Sequence, residues 1–149
     1  MTRDAAAIAR ASADAMWAED AASRALGMSI ETIEPGRAVL SMSVAPSMVN
    51  GHGLCHGGFI FLLADSAMAF ASSTRNERTV AQHCQISYIA PGRLGMRLVA
   101  EARERHKGER SGIYDVTVKA ATGETIAEFR GHTRTIRGKL VPEGRDVEV

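Results

Sequence analysis

Residues 59–71 read FIFLLADSAMAFA, and this run constrains the fold more than any other part of the chain. It follows the pair Gly57-Gly58 and carries apolar side chains on nearly every face of a helix, so the spacing predicts an almost wholly buried helix from about Gly58 to Ser73. A bilayer is not the place to bury it, because a span takes about 18 or more apolar residues and this run is shorter and carries Asp65. The rest of the protein has to wrap around it.

The material for wrapping is strand-like. Before the helix, MSIETIE and RAVLSMSV alternate apolar and polar residues on either side of Pro35-Gly36, a hairpin signal. After it come TVAQHCQISYI, MRLVAEARERH, GIYDVTVKA and ETIAEFRGHTRTI, divided by Pro91-Gly92, Lys107-Gly108 and Thr122-Gly123. Connections this short predict antiparallel neighbours. Residues 4–25, alanine-rich with charges on alternate faces, predict one surface helix ended by Gly27. The expected architecture is therefore α+β: an antiparallel sheet wrapped around one long central helix, with an N-terminal helix outside. A chain of 149 residues suits a single domain over residues 1–149, with residues 139–149 as a loose tail.

Charge narrows the function. Eighteen Lys and Arg against seventeen Asp and Glu give a net charge of +1, so no bulk field points to nucleic acid. Neither a signal peptide's apolar segment nor a membrane span stands out, and the two cysteines, Cys55 and Cys84, do not form a disulfide framework. The cytoplasm is the expected setting.

Chemistry concentrates around residues 50–58, NGHGLCHGG. A glycine pair opening a helix exposes backbone amides at the positive end of the helix dipole, where an oxyanion can sit. Asp65 is the one formal charge in the buried helix, and an ionised carboxylate there needs compensation. It either bonds a nearby amide or hydroxyl as part of the fold, or it does chemistry. His56 either shapes the loop through a hydrogen bond or acts as a general base. Asn50 suits a turn cap. No metal is expected: His52, Cys55 and His56, with His83 or Cys84, lack the separated ligand pairs of structural zinc sites. Cys55 as a nucleophile lacks a third group to orient a Cys-His pair.

Asn50, then His56-Gly57-Gly58, then Leu63-Ala64-Asp65 resembles the signature of the hotdog-fold acyl-CoA thioesterases, in the phenylacetic-acid-degradation branch. EDAASRALGMSI before it, and YIAPG, RHKGERSGIYDV and EFRGHTRTI after it, resemble that branch in order and spacing over roughly residues 10–138. The resemblance implies a sheet wrapped around a central helix, as reached above from the pattern. It also implies roles: the Gly57 amide polarises the thioester carbonyl with Asn50 assisting, Asp65 attacks or activates water, and His56 positions the loop. A water-orienting hydroxyl is missing at Ala69, which leaves Gln82 of the following strand as the candidate. Gly58 would help bind the substrate, and Arg105, Lys107 and Arg110, flanking a glycine turn, either meet the CoA phosphates or form a solvated hairpin tip. Leu54, Phe59, Phe61, Leu62 and Met68 line an acyl pocket or serve as plain core.

The expected activity is hydrolysis of an aryl- or arylacetyl-CoA, such as phenylacetyl-CoA or hydroxyphenylacetyl-CoA, with no cofactor, since CoA belongs to the substrate. A hotdog hydratase or dehydratase, in which His56 exchanges protons, and a non-catalytic acyl-CoA binder are the alternatives. Gly57 and Asp65 lie 8 residues apart, about 12 Å along a helix, too far to act on one carbonyl. A two-fold dimer with shared sites is therefore expected, and the resemblance suggests pairing of dimers into a tetramer.

Overall fold

A computed structural model of the protein describes residues 4–143. In chain order it contains α1 (Ala5–Glu19), α2 (Ala21–Ala25), β1 (Ser29–Glu34), β2 (Arg37–Ser43), a short 3₁₀ turn at Pro46–Met48, α3 (Gly57–Ser72), β3 (Arg78–Tyr88), β4 (Arg97–Lys107), β5 (Ser111–Ala120) and β6 (Thr125–Ile136). The six strands form one antiparallel sheet in the order β1-β2-β4-β5-β6-β3. The sheet curls around α3, as expected from the apolar run.

The N-terminal helix is two helices rather than one. Asp20 accepts hydrogen bonds from the Ser23 amide at 2.9 Å and the Ser23 hydroxyl at 2.7 Å, so it caps a new helix at α2 instead of continuing α1. The Ser23 hydroxyl also meets that of Ser66 at 2.9 Å, tying α2 to the back of α3, while Trp17 packs on Phe70 with ring centroids 6.2 Å apart.

The connection from β3 to β4 is not a hairpin. β4 pairs with β2 and β5, and β3 pairs with β6 at the far edge of the sheet. The intervening segment instead crosses the start of α3: Cys55 N–H donates to the Gly92 carbonyl at 2.8 Å, and Leu54 bridges to Arg93. The predicted loose tail is tied down at its start. Asn76, in the left-handed region at φ 59°, donates to the Val141 carbonyl and accepts from the Leu140 and Val141 amides, each at 2.9 Å. Residues 144–149 of that tail lie outside the described residues.

The helix α3 departs from expectation in one respect that matters for function. Ile60, Leu63, Ala64, Ala67, Met68, Phe70 and Ala71 are buried against the sheet, but Phe59, Phe61, Leu62, Asp65 and Ala69 are only half-buried. One stripe of the helix stays open. Beside it runs β3, an edge strand of 11 residues, none of them buried. No helix among the described residues is long and apolar enough to cross a membrane.

Candidate active site

The start of α3 is built by the loop before it. Asn50 closes that loop, its Oδ1 accepting from the His52 amide at 2.9 Å and the Leu54 amide at 3.2 Å. This is the turn cap its residue type suits. His56 then caps the helix: its Nδ1 accepts from Gly58 N–H at 3.2 Å, and its carbonyl accepts from Phe59 N–H at 3.0 Å. The Nδ1 of the ring is thereby engaged within the loop itself. With Gly58 and Phe59 so engaged, Gly57 N–H is the first-turn amide to which no described residue offers an acceptor. It stands at the positive end of a 16-residue helix.

Asp65 sits two turns further on, in the open apolar stripe. No described residue donates a hydrogen bond to its carboxylate, and burial alone lifts its pKa above the ordinary aspartate value. It is therefore not a structural cap. Its neighbour Ser66 points away, toward Ser23, as its place on the helix requires.

On β3, Cys84 pairs with Gly131 and Ile86 with Phe129, both buried, so Cys84, Ile86 and Tyr88 face the helix. Burial raises the Cys84 thiol's pKa, and the Asp65 charge raises it further, which places the two groups near each other. Gln82, the candidate for orienting water, is the extra residue of a bulge between Ala81 and His83 and is exposed. The bulge shifts the pleat, so counting by twos along the strand does not carry from Cys84 back to Gln82. Tyr88 was not legible in the sequence as a site residue. Its hydroxyl donates to the Gly57 carbonyl at 2.8 Å, and its ring lies against Gly57 so closely that a Cβ there would be 2.8 Å from Cζ.

The proposed phosphate contacts are not brought to Gly57 within one chain. Lys107 Nζ pairs with Glu77, just past the C-terminal end of α3, at 2.9 Å, so the β4–β5 tip lies at the opposite end of the helix, about 24 Å from Gly57. Arg105 is paired with Asp115 at 2.8 Å, on the carboxylate that Arg130 also holds, and Arg110 is exposed at the tip. Of the acyl-pocket candidates, Met68 is core, whereas Phe59, Phe61 and Leu62 belong to the open stripe and Leu54 is half-buried. Among the described residues, no group of three or more His, Cys, Asp or Glu is placed to hold a metal ion.

Comparison with known proteins gives the same fold and a family. The profile of the thioesterase superfamily matches residues 52–127. The acyl-coenzyme A thioesterase PaaI of Escherichia coli is 40% identical over 131 residues, covering 88% of this chain and 94% of that protein. The structure of the E. coli PaaI protein, from the phenylacetic acid degradation operon, superposes with a TM-score of 0.90 at 39% identity, over 91% of this chain and 99% of that one. A Streptococcus mutans protein solved with acetyl CoA bound has a TM-score of 0.72 at 27% identity, over 75% of this chain and 90% of that one. The chain belongs to the hotdog-fold thioesterase superfamily, in the branch that includes the acyl-coenzyme A thioesterase PaaI.

Proposed function

We propose that the protein hydrolyses aryl- or arylacetyl-CoA thioesters to the free acid and CoA. The observation that carries this is the pairing of chemistries on α3: an amide at its N-terminus with no acceptor, and an unbonded carboxylate in an apolar stripe. The Gly57 N–H donates a hydrogen bond to the thioester oxygen as negative charge develops on it. Asp65 attacks the carbonyl carbon or takes a proton from the attacking water. A thiolate leaves without strong acid assistance, so these two elements suffice. Asn50 has its Oδ1 committed to the loop, which leaves its Nδ2 to assist at the carbonyl. A hydratase would need His56 to exchange protons, yet its Nδ1 is committed to the Gly58 amide.

The two halves of the site come from two subunits. Gly57 and Asp65 are about 12 Å apart on one rigid helix, whereas a reacting carbon must lie about 3 Å from both donor and nucleophile. A two-fold dimer that packs the open stripes against each other, helices antiparallel, places Asp65 of the partner subunit at Gly57. It also covers exposed apolar groups along β3, Val80 at 44%, Tyr88 at 51% and, just past it, Ile89 at 59% exposed, and pairs an edge that would otherwise template aggregation. The antiparallel arrangement brings the partner's β4–β5 tip, with Arg110, toward the same site, where its charge suits the CoA phosphates. Dimers pairing into a tetramer complete the proposed assembly.

The test is release of free thiol from phenylacetyl-CoA by the wild type, by Asp65→Asn and by mixtures. Asp65→Asn is nearly isosteric and should lose several orders of magnitude; retention of more than about a tenth of the rate, a loss below about 1.4 kcal/mol of barrier, refutes its role. Mixing Asp65→Asn with folded Gly57→Pro, after subunit exchange has been demonstrated, should restore activity through the one intact site of each heterodimer. Heterodimers that stay inactive refute the shared site.

A further inference from the structure

We propose that Tyr88 is a positioning residue of the oxyanion site, fixing the Gly57 peptide in place from the sheet. The inference rests on Gly57 N–H as the oxyanion donor and goes beyond it in explaining what holds that amide. Gly57 has no side chain, and a glycine at a helix start has more backbone freedom than any other residue. Its two flanking peptides are nevertheless each held. The His56–Gly57 peptide, which carries the donor N–H, has its carbonyl bound by Phe59 N–H at 3.0 Å. The Gly57–Gly58 peptide is bound at both ends, its carbonyl by the Tyr88 hydroxyl at 2.8 Å and its N–H by His56 Nδ1 at 3.2 Å.

Tyr88 differs from the other holders because it comes from outside the loop and helix. It closes β3, and the next two amides, of Ile89 and Ala90, donate to the Ile126 carbonyl at 2.8 and 3.2 Å, so the sheet sets its position. The ring also explains why position 57 is glycine. A Cβ there would lie 2.8 Å from Cζ, 2.9 Å from the hydroxyl oxygen and 3.2 Å from Cε1 of Tyr88, contacts that force the ring away and break its hydrogen bond. The glycine admits the ring, and the ring removes the looseness that the glycine brings.

The experiment compares kcat, KM and melting temperature for the wild type, Tyr88→Phe, Gly57→Ala, Tyr88→Ala and the Gly57→Ala/Tyr88→Ala double variant, with phenylacetyl-CoA as substrate. Complete loss of an oxyanion donor costs about 100-fold to 1,000-fold. Loosening one should cost less, so Tyr88→Phe is expected to lower kcat about 10-fold with KM within about two-fold and the melting temperature within about 4 °C of wild type. Gly57→Ala should lower kcat by a smaller factor in the Tyr88→Ala background than alone, because no ring is left to displace. A wild-type kcat in Tyr88→Phe overturns the role of the hydroxyl, and equal factors in both backgrounds overturn the role of the ring. A wild type that releases no thiol overturns the thioesterase reading and this inference together; an active wild type with an unaltered Tyr88→Phe overturns this inference alone.

Discussion

At Gly131 the Met68 side chain of α3 lies hard against the sheet, and replacing the glycine by alanine tests whether that contact helps set the site. Gly131 lies in β6 between Tyr114 of β5 and Cys84 of β3. A Cβ built there stands 2.0 Å from Met68 Sδ, 2.9 Å from Met68 Cε and 3.0 Å from Phe129 Cε1. Ordinary contact between such atoms is about 3.5–4.0 Å, so about 1.5–2 Å must be found by moving Met68. That side chain is 1% exposed in the core and has no open side to enter. Overpacking of this kind costs about 1–3 kcal/mol. For a domain of this size, each kcal/mol is about 2–4 °C in melting temperature, which gives an expected drop of about 2–12 °C. Met68 is three residues beyond Asp65, so a helix pushed off the sheet also carries Asp65 away from Cys84, and kcat should fall with stability. Urea and thermal melts of Gly131→Ala, Met68→Ala and the double variant separate the causes. Met68→Ala alone opens a cavity worth about 2–5 kcal/mol, and the new methyl should refill part of it, making the double variant more stable than the sum of the single losses predicts. A Gly131→Ala protein that melts within a degree of wild type, or strictly additive losses, refutes the close approach.

Other expectations follow from single groups. Burial raises the Asp65 pKa in the folded chain; the unfolded carboxyl ionises first, so stability falls as pH rises from the ordinary aspartate value, about 3.9, to the raised one. Asp65→Asn should therefore be inactive yet more stable than wild type at pH 7, with the gain vanishing below about pH 3; a gain independent of pH would show another cause. His56→Ala should cost about 0.5–2 kcal/mol as a lost cap and lower kcat less than Asp65→Asn, with no limb of the pH-rate profile removed; loss of such a limb would restore the acid-base alternative. Asn76→Ala removes three hydrogen bonds and leaves alanine in the left-handed region, for about 2–5 kcal/mol by urea melts. Asn76→Gly should recover the backbone part alone, and equal losses in the two variants would place the whole effect in the clamp on Leu140 and Val141.

The parts of the fold legible in the sequence are those decided locally. The apolar run of α3, the Pro35-Gly36 hairpin and the four later strands appear within a residue or two of where pattern and turn residues put them. What escaped was decided at a distance. Asp20 looks like one more charge on a helix until Ser23 and Ser66 stand beside it. The segment after β3 looks like a hairpin turn because nothing local reveals that β2 takes the place beside β4. The site divides the same way. Asp65 is conspicuous as a lone charge, and His56-Gly57 as a helix start, but Cys84 and Tyr88 reach the helix only through the parity of β3, which the bulge at Gln82 hides.

The position of Asp65 raises an electrostatic problem that the single chain does not solve. Its carboxylate is already penalised by burial while one side of its helix is still open. Covering that stripe with a second copy removes more water and, by itself, would push the carboxyl further toward its neutral form. A neutral acid is a poor nucleophile and a poor base. The antiparallel dimer proposed for this chain would also bring up the N-terminus of the partner's central helix, with the equivalent of about half a positive charge. That end would oppose the desolvation at the place where it acts. In that proposal the same contact would deliver the oxyanion donor to the substrate carbonyl and a compensating field to the carboxylate, which favours the ionised form of Asp65.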